Sequence, residues 1–386
     1  MKQTIKVAIV GVGNCAKSLI EGVDYYTKNQ IDNEGLTRRD IGGYLPSNIE
    51  FVCGFDVDTR KVGKPLHEAI YEKPNCAVDI ISKDDITPNT GMVYEGALLD
   101  GVADHMRTPD INNAEKFYAP TSTTTQLKDI VTILNDHDVD ILINYLPVGS
   151  QEATELYANA CIESSVAFMN CIPVFIASDK KWEQKFIDAG LPLIGDDMKS
   201  QFGASIVSQL LQELAFARGH KVKCHIQRNV GGNTDFHNME DATRLKSKKI
   251  SKENVIRSQN DIHGVEQGDT FLHAGPSEYI RYYKDNKVAN FRVELEGFGG
   301  APVILDAQLS VQDSPNSAGV VIDGIRYLQV AREMGIVGAL NGASAFTQKT
   351  PPYQMQFKDA EYECNKLANR ILTDLTSKQL KFSKTK

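Results

Sequence analysis

Apolar and amphipathic runs alternate along the first half of the chain. KVAIVGVG, from residue 6, is a continuous apolar run of strand length, followed by the helix-like NCAKSLIEGVDYY and by a second apolar run, NIEFVCGFD. That order is a βαβ unit. It continues through the helix TTQLKDIVTILND, the strand VDILINYLP, the helix QEATELYANACIES, the strand VAFMNCIP, a helix near 178–189 and the strand LPLIGDD. Strands separated by helices in this rhythm predict an α/β fold with a doubly wound parallel sheet.

The pattern changes near residue 200. A long helix, ASIVSQLLQELAFARG, leads into KVKCHIQRN and then into the β-rich stretch EYIRYYKDNKVANFRVELEGFGGAPVILDAQLSV, which suits antiparallel pairing. Helical patterns return in SAGVVIDGIRYLQVAREMG and DAEYECNKLANRILTDL. The chain therefore divides into a parallel-sheet domain over 1–200, an α+β domain over 201–312, and a segment over 313–386 that packs back on the first. Residues 24–47 and 57–120 are polar insertions without readable chemistry, expected at the surface, in a lid or in oligomer contacts. The Lys-rich tail KQLKFSKTK is expected to fray.

Composition narrows the possible functions. Among 386 residues, 42 Lys and Arg face 50 Asp and Glu, a formal charge of −8. Nucleic acid and anionic membrane surfaces are unsuitable partners for that balance. No apolar run approaches the ~20 residues of a membrane span, and MKQTIKVAIVGVG reads as a first strand rather than a signal peptide, so a cytoplasmic location is expected. The seven cysteines are odd in number and lack CxxC, which favours buried thiols. The eight histidines show no HExxH and no close cluster with carboxylates, so a protein-ligated zinc is not expected.

Two segments carry candidate chemistry for binding a dinucleotide. GVGNCA, holding Gly11, Gly13, Asn14 and Cys15, sits where the first strand turns into the first helix, so a pyrophosphate could approach the backbone. Asp56 ends the second strand, either as the acceptor for a ribose hydroxyl, favouring NAD over NADP, or as a turn residue. Asn144, Pro147 and Asn170 also end strands, at the sheet edge where ligands bind.

A further set suits a phosphorylated substrate. GDDMKSQFGAS presents Ser200, Gln201, Gly203, Ala204 and Ser205 at the start of the long helix, as a phosphate cradle or as a serine N-cap. Arg244, Lys246, Lys248, Lys249 and Lys252 then crowd together, although the chain is acidic. They are either a solvated helix face or the wall of an anion site, to which Lys287 and Lys349 are further candidates. Crowded, partly buried ammonium groups depress one another's pKa, so one could serve as an acid/base near neutral pH.

GVGN, NYLPVGS, GDDMKSQFGAS, RNVGGNTDF, LKSKKISK, DNKVAN, QDSPNSAG and QKTPP, in that order, resemble the signature segments of the myo-inositol-1-phosphate synthase family, especially its shorter archaeal and bacterial forms. The resemblance implies an NAD-binding Rossmann domain with an inserted α+β catalytic and tetramerisation domain. It also implies an NAD-dependent isomerase that converts D-glucose 6-phosphate to 1D-myo-inositol 3-phosphate, as a homotetramer, for inositol and phospholipid biosynthesis. Hydride would leave carbon 5 for NAD and return to it, with enolisation and aldol closure between. Carried over by motif, Lys248, Lys252, Lys287 and Lys349 are the active-site lysines. Lys248 and Lys349 would serve proton transfer and oxyanion stabilisation, and Lys252 and Lys287 the phosphate. Asp197, Asp235, Asp313, Asn229 and Asn233 would orient hydroxyls and lysines. The family leaves open a divalent metal or a monovalent cation held by phosphate and water. The rival readings are an ordinary NAD-linked sugar dehydrogenase and a non-catalytic NAD-binding regulator.

Overall fold

The computed structural model describes residues 4–29, 34–88, 91–266 and 268–380, apart from the side chains of residues 245–247. The side chain of Lys246 and the last six residues of the Lys-rich tail lie outside that set.

The first unit comprises β1 (Ile5–Val10), α1 (Asn14–Lys28), β2 (Ile49–Asp56), α2 (Leu66–Ala69), β3 (Met92–Glu95), α3 (Leu127–Asp136), β4 (Ile141–Asn144), α4 (Gln151–Glu163), β5 (Ala167–Asn170), α5 (Lys180–Ala189) and β6 (Pro192–Ile194). The second comprises α6 (Ala204–Ala217), β7 (Lys221–Gly231), α7 (Thr234–Asn238), α8 (Ala242–Ile262), β8 (Phe271–Tyr279), β9 (Asn286–Glu296) and β10 (Pro302–Gln312). The chain ends with α9 (Asp313–Met334), β11 (Gly338–Ala339), α10 (Asn341–Thr347), α11 (Phe357–Ala368) and α12 (Asp374–Ser377).

β1 to β6 and β11 form one parallel sheet in the order β3-β2-β1-β4-β5-β6-β11. Because successive strand side chains point to opposite faces, Val7 and Ile9 join a core with Leu19 of α1 and Ile322 and Ile325 of α9. Ala8 and Val10 join the other core, with Ile130 and Leu134 of α3 and Tyr157 of α4. Both faces are covered, as an all-parallel sheet requires. The strand order reverses between β1 and β4, and the crevice above that switch point is where such folds bind ligands.

The second sheet, β10-β9-β7-β8, departs in one respect from the antiparallel expectation. β9 is antiparallel to β7 and β10, but β8 runs parallel to β7 and begins at Phe271, earlier than the β-rich stretch suggested. The reason is the crossover: α7 and α8 return the chain to the same end of the sheet, and a strand entered that way can only be parallel. The crossover helix α8 packs beside α6, where Gln212 Nε2 donates to Asn260 Oδ1 at 2.7 Å. It thereby carries the lysine run to the junction of the two units.

Both polar insertions have an inner, ordered layer. Leu36, Ile41 and Tyr44 are buried, and Thr37 Oγ1 donates to Asp323 Oδ2 of α9 at 2.7 Å. Arg326, fully buried, donates to the carbonyls of Arg38 and Arg39 at 3.0 and 2.7 Å and to Asp323 Oδ1 at 2.5 Å. In the other insertion Arg60 is paired with Asp58 and donates to the carbonyls of Asn113 and Lys116. Arg326→Ala strands a buried carboxylate and two loop carbonyls, so the denaturation midpoint should fall by the equivalent of about 3–5 kcal/mol. An unchanged midpoint would show that the 34–48 loop is not held from α9.

Candidate active site

The glycine turn is built for close approach. Gly11 has φ +88°, and a Cβ there would lie 2.6 Å from the Tyr145 carbonyl oxygen. At Gly13, the N-cap of α1, a Cβ would meet nothing within 4 Å and would project into open space, and no side chain caps the helix. The first N–H groups of α1 are thus left for an anion. Asp56 holds the turn: its carboxylate accepts from the N–H groups of Val12, Val57 and Asp58 at 2.8, 2.8 and 2.9 Å. Lys61, fully buried, stands 3.8 Å from Asp56 and donates to the Val12 carbonyl at 2.7 Å. Asn14 faces the insertion, accepting from Cys76 N–H at 3.0 Å. Burial pushes the Cys15 thiol up to about 12, so it is not a thiolate at neutral pH.

Four lysines converge beyond this turn. Asp197, fully buried, lies between two of them: its Oδ1 is 3.2 Å from Lys248 Nζ and 2.9 Å from Lys349 Nζ. Lys248 also stands 3.6 Å from Asp235, and Lys349 donates to the Met198 carbonyl at 2.7 Å. Lys287 pairs with Asp313. Lys252 is buried and, among the described residues, has no carboxylate within ion-pair distance.

This unequal pairing separates the four amines. Burial works against the charge on Lys248, but Asp197 and Asp235 outweigh it and raise its pKa above the ordinary lysine value. Burial, only partly offset by Asp197, lowers Lys349 to about 8. Burial, and then the neighbouring Lys248, Lys349 and Lys287, push Lys252 well below the ordinary range. Burial would raise Asp197, yet Lys248 and Lys349 hold it below the carboxylate range. Lys248 is therefore a fixed cation, Lys349 can change charge near neutral pH, and Lys252 holds its proton less firmly than an ordinary lysine.

A single cleft runs from the glycine turn to these lysines. Gly11, Gly13, Asn14, Cys15, Asp56 and Pro147 line it at one end, and Ser200, Asn229, Asn233, Asp235, Asp313 and the four lysines at the other, with Asp197 on the wall between. The remaining expected contacts point elsewhere. Asn144 and Asn170 are fully buried behind the cleft: Asn144 Nδ2 donates to Asn170 Oδ1 at 2.9 Å, and Asn170 Nδ2 to Asp196 Oδ1 at 2.7 Å. These amides knit together the ends of β4, β5 and β6. Gln201 turns away to donate to Asp323 at 2.8 Å, and Gly203 is the N-cap of α6, packed against Ser200.

The basic run in α8 resolves into separate parts. Arg244 is a strut that donates to the carbonyls of Val148 and Asp100 at 3.1 and 2.5 Å, Lys249 is exposed, and Lys248 and Lys252 face the cleft. Two residues not anticipated from the sequence contribute: Lys61, described above, and Asp285. Asp285 is buried and accepts from Asn233 Nδ2 at 3.1 Å and Ser314 Oγ at 2.8 Å. Burial and then Asp313 push its carboxyl up to about 6. It lies two residues before Lys287, a proximity that could have singled it out.

A family model, Myo-inositol-1-phosphate synthase, matches residues 203–314. An inositol-3-phosphate synthase of Corynebacterium glutamicum is 45% identical over 360 residues, covering 91% of this chain and 94% of the relative. The chain belongs to the myo-inositol-1-phosphate synthase family. An inositol-3-phosphate synthase of Mycolicibacterium smegmatis is 43% identical, with the same shares covered. Among solved structures, Ari2 is 31% identical with a TM-score of 0.73, covering 95% of this chain and 98% of that one. A synthase-related protein of Thermotoga maritima, at 24% identity and a TM-score of 0.76, covers the same shares and shares the fold. The region matched by the synthase model includes Lys248, Lys252 and Lys287, whereas Asp197 and Lys349 lie outside it.

Folding lowers the Lys349 pKa, so between pH about 8 and 10.5 the unfolded chain binds more protons. The cost of burying this charge is present in full below pH 8 and is relieved as pH rises through that window. Lys252→Met removes a buried amine without a partner. It should stabilise the substrate-free protein by on the order of 1 kcal/mol and cut turnover ~10²-fold or more. A lower denaturation midpoint would show that Lys252 has a structural partner.

Proposed function

We propose that the chain converts D-glucose 6-phosphate to 1D-myo-inositol 3-phosphate with NAD, and that it works as a homotetramer. The observation that carries this reading is the single cleft that joins an uncapped, glycine-opened helix terminus to four lysines. A cofactor alone does not need the lysines, and a phosphate alone does not need the glycine turn. The edge strand β10 exposes Val303, Ile304 and Leu305 and suits contact with a second copy.

The residues at the turn fit NAD: Gly13 leaves room beside free helix N–H groups, and the Asp56 carboxylate would disfavour a 2′-phosphate. Gly11, Gly13, Asn14, Cys15, Asp56 and Pro147 would hold it. When bound, NAD supplies a hydride acceptor, and later a donor, for carbon 5 of the sugar. Lys349, poised near neutrality, takes the proton of the carbon 5 hydroxyl and can return it. Lys248 keeps its charge and stabilises the oxyanions that develop as carbon 6 gives a proton to the substrate's own phosphate and closes on carbon 1. Lys252 and Lys287 bind the phosphate, and the dianion favours the charged form of Lys252 that burial and its neighbouring lysines disfavour. Asp197 and Asp235 orient Lys248 and Lys349, and Asn229, Asn233 and Ser200 position hydroxyl and phosphate oxygens.

The decisive assay incubates the protein with glucose 6-phosphate and NAD, following phosphorus NMR and NADH absorbance together. Inositol phosphate should accumulate far beyond the cofactor supplied. NADH rising in step with an oxidised sugar would instead make the protein a dehydrogenase. kcat/KM should rise with pH through about 8, as free Lys349 becomes neutral. Asp197→Asn removes the charge that holds this proton, so the limb should move to lower pH. A limb that stays in place would exclude Lys349 as the base.

A further inference from the structure

Outside the cleft, the fold brings a distant histidine to a His–Glu pair spaced i,i+3. His105 lies in a 3₁₀ turn, Asp104–Met106, of the 57–120 insertion, His237 lies on α7, and Glu240 follows that helix. One ring nitrogen of each histidine and one carboxylate oxygen lie within 4.8 Å of one another. We propose that His105, His237 and Glu240 bind a divalent transition metal, with zinc suited to the donor set, and that the ion clasps the insertion to α7. The proposal is independent of the reaction assigned to the cleft.

Geometry favours this over a chance polar cluster. A tetrahedral zinc holds ligands about 2.0–2.1 Å from the ion and therefore about 3.3 Å from one another. His237 Nε2 and Glu240 Oε2 are already 3.4 Å apart, so only His105 has to close in. The His237 ring is stacked on Tyr279 of β8, 4.7 Å between centroids and 6° between planes, and this fixes its direction. His105 Nε2 lies 2.9 Å from the His237 carbonyl, a contact that holds its ring against α7. Two imidazoles and one carboxylate, with an accessible Glu240, leave a fourth position for water.

The position gives the ion a consequence. α7 is capped by Asn233 and carries Asp235, the second partner of Lys248. The insertion supplies Gly101 and Val102 to the wall of the cleft, a few residues before His105. A metal across this seam would fix both walls relative to each other without touching substrate. In the sequence the two histidines are 132 residues apart, so no motif announces them.

The test uses full-length protein stripped with chelator and titrated with Co²⁺, whose visible d–d bands report tetrahedral nitrogen and oxygen ligation. One equivalent should produce these bands, Zn²⁺ should displace them, and Zn²⁺ should raise the Tm. Glu240→Gln, at an exposed position that leaves the fold intact, and His105→Ala should each lose the bands and the Tm shift. Asp313→Asn, at the cleft, should keep both and so separates this site from any metal held with substrate. Absent bands in the wild-type protein, or bands that survive in both Glu240→Gln and His105→Ala, would overturn the proposal.

Discussion

The site depends on one buried carboxylate. Asp197 touches both Lys248 and Lys349, and its backbone is as constrained as its side chain: its N–H donates to the Ile172 carbonyl at 3.1 Å, and its carbonyl accepts from Lys349 N–H at 2.7 Å. Asp197 has φ +63°, a region that aspartate tolerates better than most residues. It follows β6 directly, so the parallel sheet sets its place, while Lys248 arrives on the crossover helix of the second sheet and Lys349 from beyond α10. Three distant parts of the chain therefore meet through one side chain. Each ammonium needs that anion to remain charged in a dry environment, and the anion needs both to stay ionised.

The second unit explains how α8 comes to be there. Had β7 and β8 formed a hairpin, the intervening chain would have been a short turn. The parallel pairing instead demands a crossover long enough to span the sheet, and the lysine run occupies that crossover. Arg244 sets its near end by donating to carbonyls of the cofactor-side loops, and Gly149 is required beside it, since a Cβ there would lie 2.7 Å from Arg244 Cγ. Midway along the helix, Thr350 Oγ1 and Ser251 Oγ are 2.9 Å apart, joining α8 to the segment that carries Lys349.

Much of this is legible in the residues. The strand and helix order of the first unit follows from apolar periodicity except for α2 and the edge strand β3, which lie in the 57–120 insertion, and the glycine turn and the lysines follow from their motifs. Side-chain direction at strand ends is less readable. Asn144 and Asn170 are at the ligand edge of the sheet, but they turn inward because the strand termini need their amides to satisfy one another and Asp196. The parallel β7–β8 pair was hidden because antiparallel and parallel strands share the same apolar pattern, and only the connection distinguishes them. Lys61 and the His105–His237 contact were hidden for a plainer reason: they are made by tertiary proximity and leave no local signature.

The arrangement also sets the energetic relation between the empty and the loaded site. Lys252 stays buried among three other amines without an anion of its own, so the empty cleft is electrostatically frustrated. In the proposed reading a phosphate dianion supplies the missing countercharge, and part of its intrinsic attraction is used to offset that frustration. On that reading, ground-state affinity is correspondingly reduced. Asp197, Asp235 and Asp313 fix the positions of the paired amines, which the proposed reaction would use for negative charge that develops only during turnover. Stabilisation reserved in this way for the transition state accelerates turnover rather than merely tightening substrate binding.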